Sequence, residues 1–271
     1  MNREHAYFEY KKAILHFSKY GQGSKILLCF HGYGQSNTDM NVLQEALKEK
    51  YTIYTFDLFY HGESFWHQKE KPLTKLFWFE LINAFLATYK IQRFSLAGFS
   101  MGAKFVLPIV ESFSERIDKL LLIAPDGITI NVWYRIATSF NWTRALLRSL
   151  VVKPDWYLRM IKMLIFFKLA PTSVINLANS KMVTRRQRRR VYYSWVVFRV
   201  LRINSKDIAN LINKYNIQLM VFLGSRDKLI TEISVRPLLR HTTNYQKIIL
   251  KAGHTNLLQS VADYERNNNI V

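Results

Sequence analysis

Gly98-Phe99-Ser100-Met101-Gly102 decides the reading of this chain. A strand-like run, Arg93 to Ala97, precedes it, and a helix-like run, Met101 to Ser112, follows. G-x-S-x-G set between strand and helix is a sharp elbow that lifts a serine hydroxyl above the carboxyl edge of a sheet. Gly98 and Gly102 belong to that geometry, because so tight a turn leaves no room for side chains beside the serine. The helix behind the elbow also aims backbone N–H groups at the same place.

The surrounding sequence supplies the sheet that this elbow needs. Lys25–Phe30 is a short apolar run, Ile217–Leu223 reads as a buried-type strand, and Tyr51–Phe56, Lys119–Ala124 and 245–251 read as further strands. Helical spacing marks 40–49, Leu73–Tyr89, a segment near 231–240 and the stretch after His254. Ala6 to Phe17 alternates in character, with Gly21-Gln22-Gly23 as a following turn, which predicts a leading hairpin. Strands alternating with helices predict an α/β fold, with a mostly parallel sheet covered on both faces. Ligands in such folds bind at the carboxyl ends of the strands.

A serine hydroxyl is a weak nucleophile at neutral pH and needs a base. His254, in Lys251-Ala252-Gly253-His254 behind a predicted strand, is the candidate. The base needs a carboxylate to hold its tautomer and stabilise the imidazolium. Asp227, in Leu223-Gly224-Ser225-Arg226-Asp227, lies just beyond another strand. The order Ser, Asp, His is the one associated with this elbow. Asp and Glu elsewhere show no metal-ligand spacing, and no glycine loop cradles phosphate, so neither metal nor cofactor is expected.

With these residues the chain resembles the α/β-hydrolase superfamily. It is similar to the cap-bearing esterases, thioesterases and carbon–carbon-bond hydrolases over residues 25–126 and 207–260. His31-Gly32-Tyr33-Gly34 matches the H-G-x-G loop of that superfamily. The match implies the backbone N–H groups of Tyr33 and Met101 as oxyanion donors. Asp57-Leu58-Phe59-Tyr60-His61-Gly62-Glu63-Ser64 matches a D-x-x-G-H-G-x-S loop, with Tyr60 in place of its first glycine. His31, Asp57 and His61 read as scaffolding for these loops. Asp126 rivals Asp227, because some members take their acid from the strand before the cap. The resemblance implies an eight-stranded-type sheet with residues 1–126 and 207–271 as core, and a helical cap inserted at 127–206. It also implies hydrolysis of a carboxylic ester or thioester. A serine at position 100 argues against the dehalogenases and epoxide hydrolases, which use aspartate.

Charge sets the middle of the chain apart. The net charge is +20, yet residues 127–206 hold 16 basic residues and one acid, Asp155. Such a block repels itself unless it is solvated or meets anions. It is also rich in aromatics, among them Phe140, Trp142, Trp156, Phe166, Tyr192 and Trp195, which serve either as substrate walls or as the block's own core. Trp156 to Ala170 is apolar but broken by Arg159, Lys162 and Lys168, a pattern suited to an anionic membrane interface rather than a span. Arg185-Arg186-Gln187-Arg188-Arg189-Arg190 extends the basic footprint. Three readings stand: a solvated face; contact with anionic lipid, an anionic substrate or an acidic acyl carrier; and nucleic acid, disfavoured because no binding module is recognisable.

Two further functional classes keep the same fold. A synthase or lyase of the menaquinone-pathway type would use the serine and its partners for proton abstraction on an anionic substrate. Its mark is poor ester turnover beside a tightly bound carboxylate. The other is a non-catalytic module that binds membrane or a partner. The start of the sequence lacks an apolar signal core, which predicts a cytoplasmic protein, with peripheral membrane contact as one reading of the basic block. The single cysteine, Cys29, sits in a strand-like run and excludes an internal disulfide.

Overall fold

A computed structural model describes residues 3–129, 132–152, 159, 162–163 and 183–268. The strands are β1 (Glu4–Tyr10), β2 (Ala13–Tyr20), β3 (Lys25–Phe30), β4 (Tyr51–Phe56), β5 (Phe65–Trp66), β6 (Phe94–Phe99), β7 (Ile117–Ile123), β8 (Gln218–Gly224) and β9 (Tyr245–Leu250). The helices among the described residues are α1 (Asn41–Leu47), α2 (Lys75–Thr88), α3 (Ala103–Phe113), α4 (Val132–Ser139), α5 (Asn141–Val152), α6 (Arg185–Val197), α7 (Ser205–Lys214), α8 (Glu232–Leu239) and α9 (Leu257–Asn268).

One sheet carries the strand order β1-β2-β4-β3-β6-β7-β8-β9, with the two-residue β5 paired to β2. β1, β2 and β4 pair antiparallel, and every pair from β4 through β9 is parallel. This is the mostly parallel α/β sheet expected, with β5 in addition to the eight strands of the main path. The leading hairpin turns at Lys11-Lys12, where Lys11 has φ 51°, and Gly21–Gly23 instead joins β2 to β3. The sequence carries no glycine or asparagine at the true turn, so the alternating run reads straight through it.

The inner parallel strands are mainly apolar because both faces are covered, whereas the edge strand β9 keeps its side chains partly or fully exposed. Leu27 and Cys29 of β3 share one core with Leu43 and Leu47 of α1 and Leu257, Leu258 and Val261 of α9. Successive side chains of a strand point to opposite faces. Accordingly, Phe30 packs edge-on against Trp78 of α2, whose indole N–H donates to the Phe105 carbonyl of α3 at 2.9 Å. Burial pushes the Cys29 thiol pKa up, so it packs as a small apolar group.

The chain divides into two compact units. The first comprises residues 1–68, 74–129 and 201–271; the second comprises 69–73 and 130–200. Residues 69–73 were not part of the block seen in sequence. The Leu73 N–H donates to the Val197 carbonyl at 2.9 Å, and Glu70 faces Arg148 at 3.8 Å. Within the second unit Val151, Tyr192 and Val196 form a small core, and Tyr134 packs edge-on against Trp195. Burial, and then Glu70, push the Tyr192 hydroxyl up to about 12. Arg188, from the middle of the arginine run, is buried and donates to the Val183 carbonyl at 2.7 Å. Trp156, Phe166 and, apart from Arg159, Lys162 and Met163, the whole 156–170 segment lie outside the described residues. Among the described residues no helix is long and apolar enough to cross a membrane.

Candidate active site

β3 and β6 are neighbouring parallel strands, yet the chain reaches β4 on one side of β3 before β6 on the other. The strand order therefore switches direction between them, which is where open α/β sheets place their ligand crevice. Ser100 follows β6 directly, with φ 49°, a left-handed conformation that a residue bearing a Cβ enters at a cost. The flanking glycines are required by contact. A Cβ on Gly102 would lie 2.1 Å from the Phe30 carbonyl oxygen, and one on Gly98 2.9 Å from the Ala103 backbone. Burying the elbow against β3 is what aims the serine outward.

Two distant segments meet that hydroxyl. His254 Nε2 lies 2.9 Å from Ser100 Oγ, and His254 Nδ1 lies 2.6 Å from Asp227 Oδ2. The loops after β8 and β9 are tied together. The N–H of Ser225 donates to the Leu250 carbonyl at 2.8 Å, and that of Arg226 to the Ala252 carbonyl at 3.0 Å. Gly224 permits the approach, since a Cβ there would meet the Ala252 carbonyl oxygen at 2.5 Å. The His254 ring also packs against Phe99, with centroids 5.2 Å apart.

The Asp227 carboxylate is fully buried, while His254 keeps partial access to solvent. Its second oxygen accepts the N–H groups of Leu229 at 2.8 Å and Ile230 at 3.0 Å. Burial pushes the Asp227 pKa up, but the hydrogen bonds from His254, Ile230 and Leu229 outweigh it, and the net shift is downward. The carboxylate is thus held ionised and fixed in orientation. Asp126 is bound to Ser100 through its backbone N–H, which donates to the Ser100 carbonyl at 3.0 Å, while its carboxylate faces Lys104 at 3.7 Å. Hydroxyl, imidazole and buried carboxylate in line form an arrangement that can draw a proton from the hydroxyl.

Tyr33 lies in the loop after β3, and Met101 directly follows Ser100 at the end of β6, so both backbone amides belong to the same edge of the sheet. His31 is buried beneath this loop. The Leu58 N–H donates to its Nε2 at 3.0 Å, so the ring proton sits on Nδ1 and is donated to the Gly32 carbonyl at 2.7 Å. The two ring nitrogens thereby tie the loop after β3 to the loop after β4. Tyr33 in turn packs edge-on against His61.

The Asp57–Ser64 loop is organised around a carboxylate whose partner was not visible in sequence. Asp57 is buried and accepts from His16 Nδ1 at 2.7 Å and from the backbone N–H groups of Asn37 at 2.6 Å and Glu63 at 2.9 Å. Gly62, at φ 48°, leaves the room: a Cβ there would lie 2.0 Å from this carboxyl group. Tyr60 adopts φ 66°, which explains why the related loop carries glycine at this position. His16 sits in mid-strand on β2, and nothing in its neighbours marks it as a partner for Asp57.

Residues 25–261 match the model of the alpha/beta hydrolase fold family, and the chain belongs to that family. Among curated proteins it is similar to uncharacterised proteins of Mycobacterium tuberculosis and Mycobacterium bovis, 29% identical over 141 residues. That match takes in 49% of this chain and only 40% of those relatives' length. Among solved structures it is similar to the naproxen esterase of Bacillus subtilis, with a TM-score of 0.64, 13% identity, and coverage of 99% of this chain and 90% of that one. It is also similar to the thioesterase domain of the curacin biosynthetic pathway, with a TM-score of 0.63, 15% identity and full coverage of both chains. At such identities the likeness is one of fold.

Proposed function

We propose that this protein is a serine hydrolase that transfers the acyl group of a carboxylic ester or thioester to water. The observation that carries the reading is the unbroken line from Ser100 Oγ through both His254 nitrogens to the buried Asp227 carboxylate. In this reading His254 takes the proton as Ser100 Oγ attacks the acyl carbon. The resulting oxyanion is held by the N–H groups of Tyr33 and Met101. His254 then gives the proton to the departing alkoxide or thiolate, leaving Ser100 acylated. Water repeats the sequence with His254 as base, and the carboxylic acid leaves. Asp227 stabilises the imidazolium without itself accepting the proton. Each oxyanion donor contributes roughly 100- to 1,000-fold in rate. Esterase and thioesterase structures with the same fold are consistent with both leaving groups.

A fluorophosphonate probe and short p-nitrophenyl esters test the reading. Wild-type protein should be labelled and should turn over; Ser100→Ala should lose labelling and about a million-fold in kcat. Labelling that persists in Ser100→Ala would exclude Ser100 as nucleophile.

A further inference from the structure

We propose that the corner between α4 and α5 is a docking surface for an anionic lipid bilayer. Trp142 is 67% exposed, Phe140 54% and Leu146 48%, a high exposure for three large apolar side chains on one short corner. Trp142 and Leu146 stand four residues apart on α5 and so share a face. The Phe140 ring stacks on Trp142 with centroids 6.3 Å apart, and Ile136, one turn earlier on α4, is also exposed.

The charge beside this face is of one sign. α4, α5 and α6 contain no acidic residue, while Arg135, Arg144 and Arg148 lie on the first two and Arg185, Arg186 and Arg189 are exposed on the third. The second unit holds 16 basic residues against two acids, Glu70 and Asp155, and Glu70 is engaged by Arg148. An anionic bilayer answers both features at once. Its headgroup layer receives indole and phenyl rings, and its phosphates receive guanidinium groups. A nucleic acid backbone would answer the charge and leave the Trp142–Leu146 face in water.

Flotation of the full chain with vesicles tests this. The protein should float with phosphatidylglycerol vesicles at low salt, stay behind with phosphatidylcholine vesicles, and detach at high salt. Trp142→Ala combined with Leu146→Ala should lower the bound fraction about tenfold or more, through lost apolar burial. Both positions are exposed and helical, so the melting temperature should hold. Absence of flotation with phosphatidylglycerol at low salt would overturn the proposal, as would a double variant that floats like its parent. Capture by an acidic carrier protein without flotation would also overturn it. Ser100→Ala should float unchanged, so the outcome is independent of the hydrolase reading.

Discussion

The two units of this chain treat their polar groups in opposite ways. In the first unit the decisive ones are buried and bound to named partners: Asp227 to His254, Asp57 to His16, His31 to its own loop. In the second, Arg185, Arg186 and Arg189 point to solvent, and only Arg188 of the run turns inward. A buried polar group tolerates one geometry, because leaving it unmet costs more than the bond itself returns. An exposed charge tolerates many. The first unit is therefore built to hold atoms at fixed distances, and the second to present a field.

If that contrast is right, substitutions in the first unit should act on chemistry and those in the second on stability hardly at all. Asp227→Asn keeps the shape but supports the wrong His254 tautomer, and should lower kcat for p-nitrophenyl acetate by on the order of ten-thousand-fold. The same variant should flatten one limb of the stability–pH curve. A carboxyl with a depressed pKa adds stability that is full above its ordinary range and is lost as pH falls through the lowered value. Urea titrations of both forms from neutral to acid pH would read this, and equal acid limbs would contradict it.

Smaller effects sharpen the contrast further. Gly102→Ala drives a methyl into the Phe30 carbonyl and should cost about 2 kcal/mol in urea unfolding. Ser100→Gly should gain about 1 kcal/mol, by relieving the left-handed backbone at φ 49°, while abolishing turnover. Arg185→Glu with Arg186→Glu, exposed at the start of α6, should move unfolding stability by no more than about 0.5 kcal/mol. A large loss there would mean that the arginine run is built into its unit as tightly as Arg188 is.

The same division governs what sequence could reveal. Lys25–Phe30 and Tyr51–Phe56 were readable to the residue because strands buried on both faces are mainly apolar. Ser100 and Asp227 were placed from the ends of such strands, and His254 from the end of the half-exposed edge strand β9. The hairpin turn at Lys11-Lys12 was not, since positive φ there is borne by lysine rather than glycine. Nor was the pairing of His16 with Asp57, two residues 41 positions apart that only strand register brings together. The inward turn of Arg188 and the attachment of residues 69–73 to the second unit depend on packing between helices, which a charge count does not record.

The His16–Asp57 contact also bears on where this protein can be cut. The family match begins at residue 25, after β1 and β2. Trimming to that boundary would remove His16 and leave the Asp57 carboxylate facing a vacated strand. It would also strip the edge of β4, which pairs with Phe17–Tyr20. A buried acceptor left without its hydrogen-bond donor costs about 1–3 kcal/mol, a large share of the stability of a marginal domain. The first two dozen residues are thus a keystone of the loop beneath Tyr33, although they lie outside the stretch that marks the family.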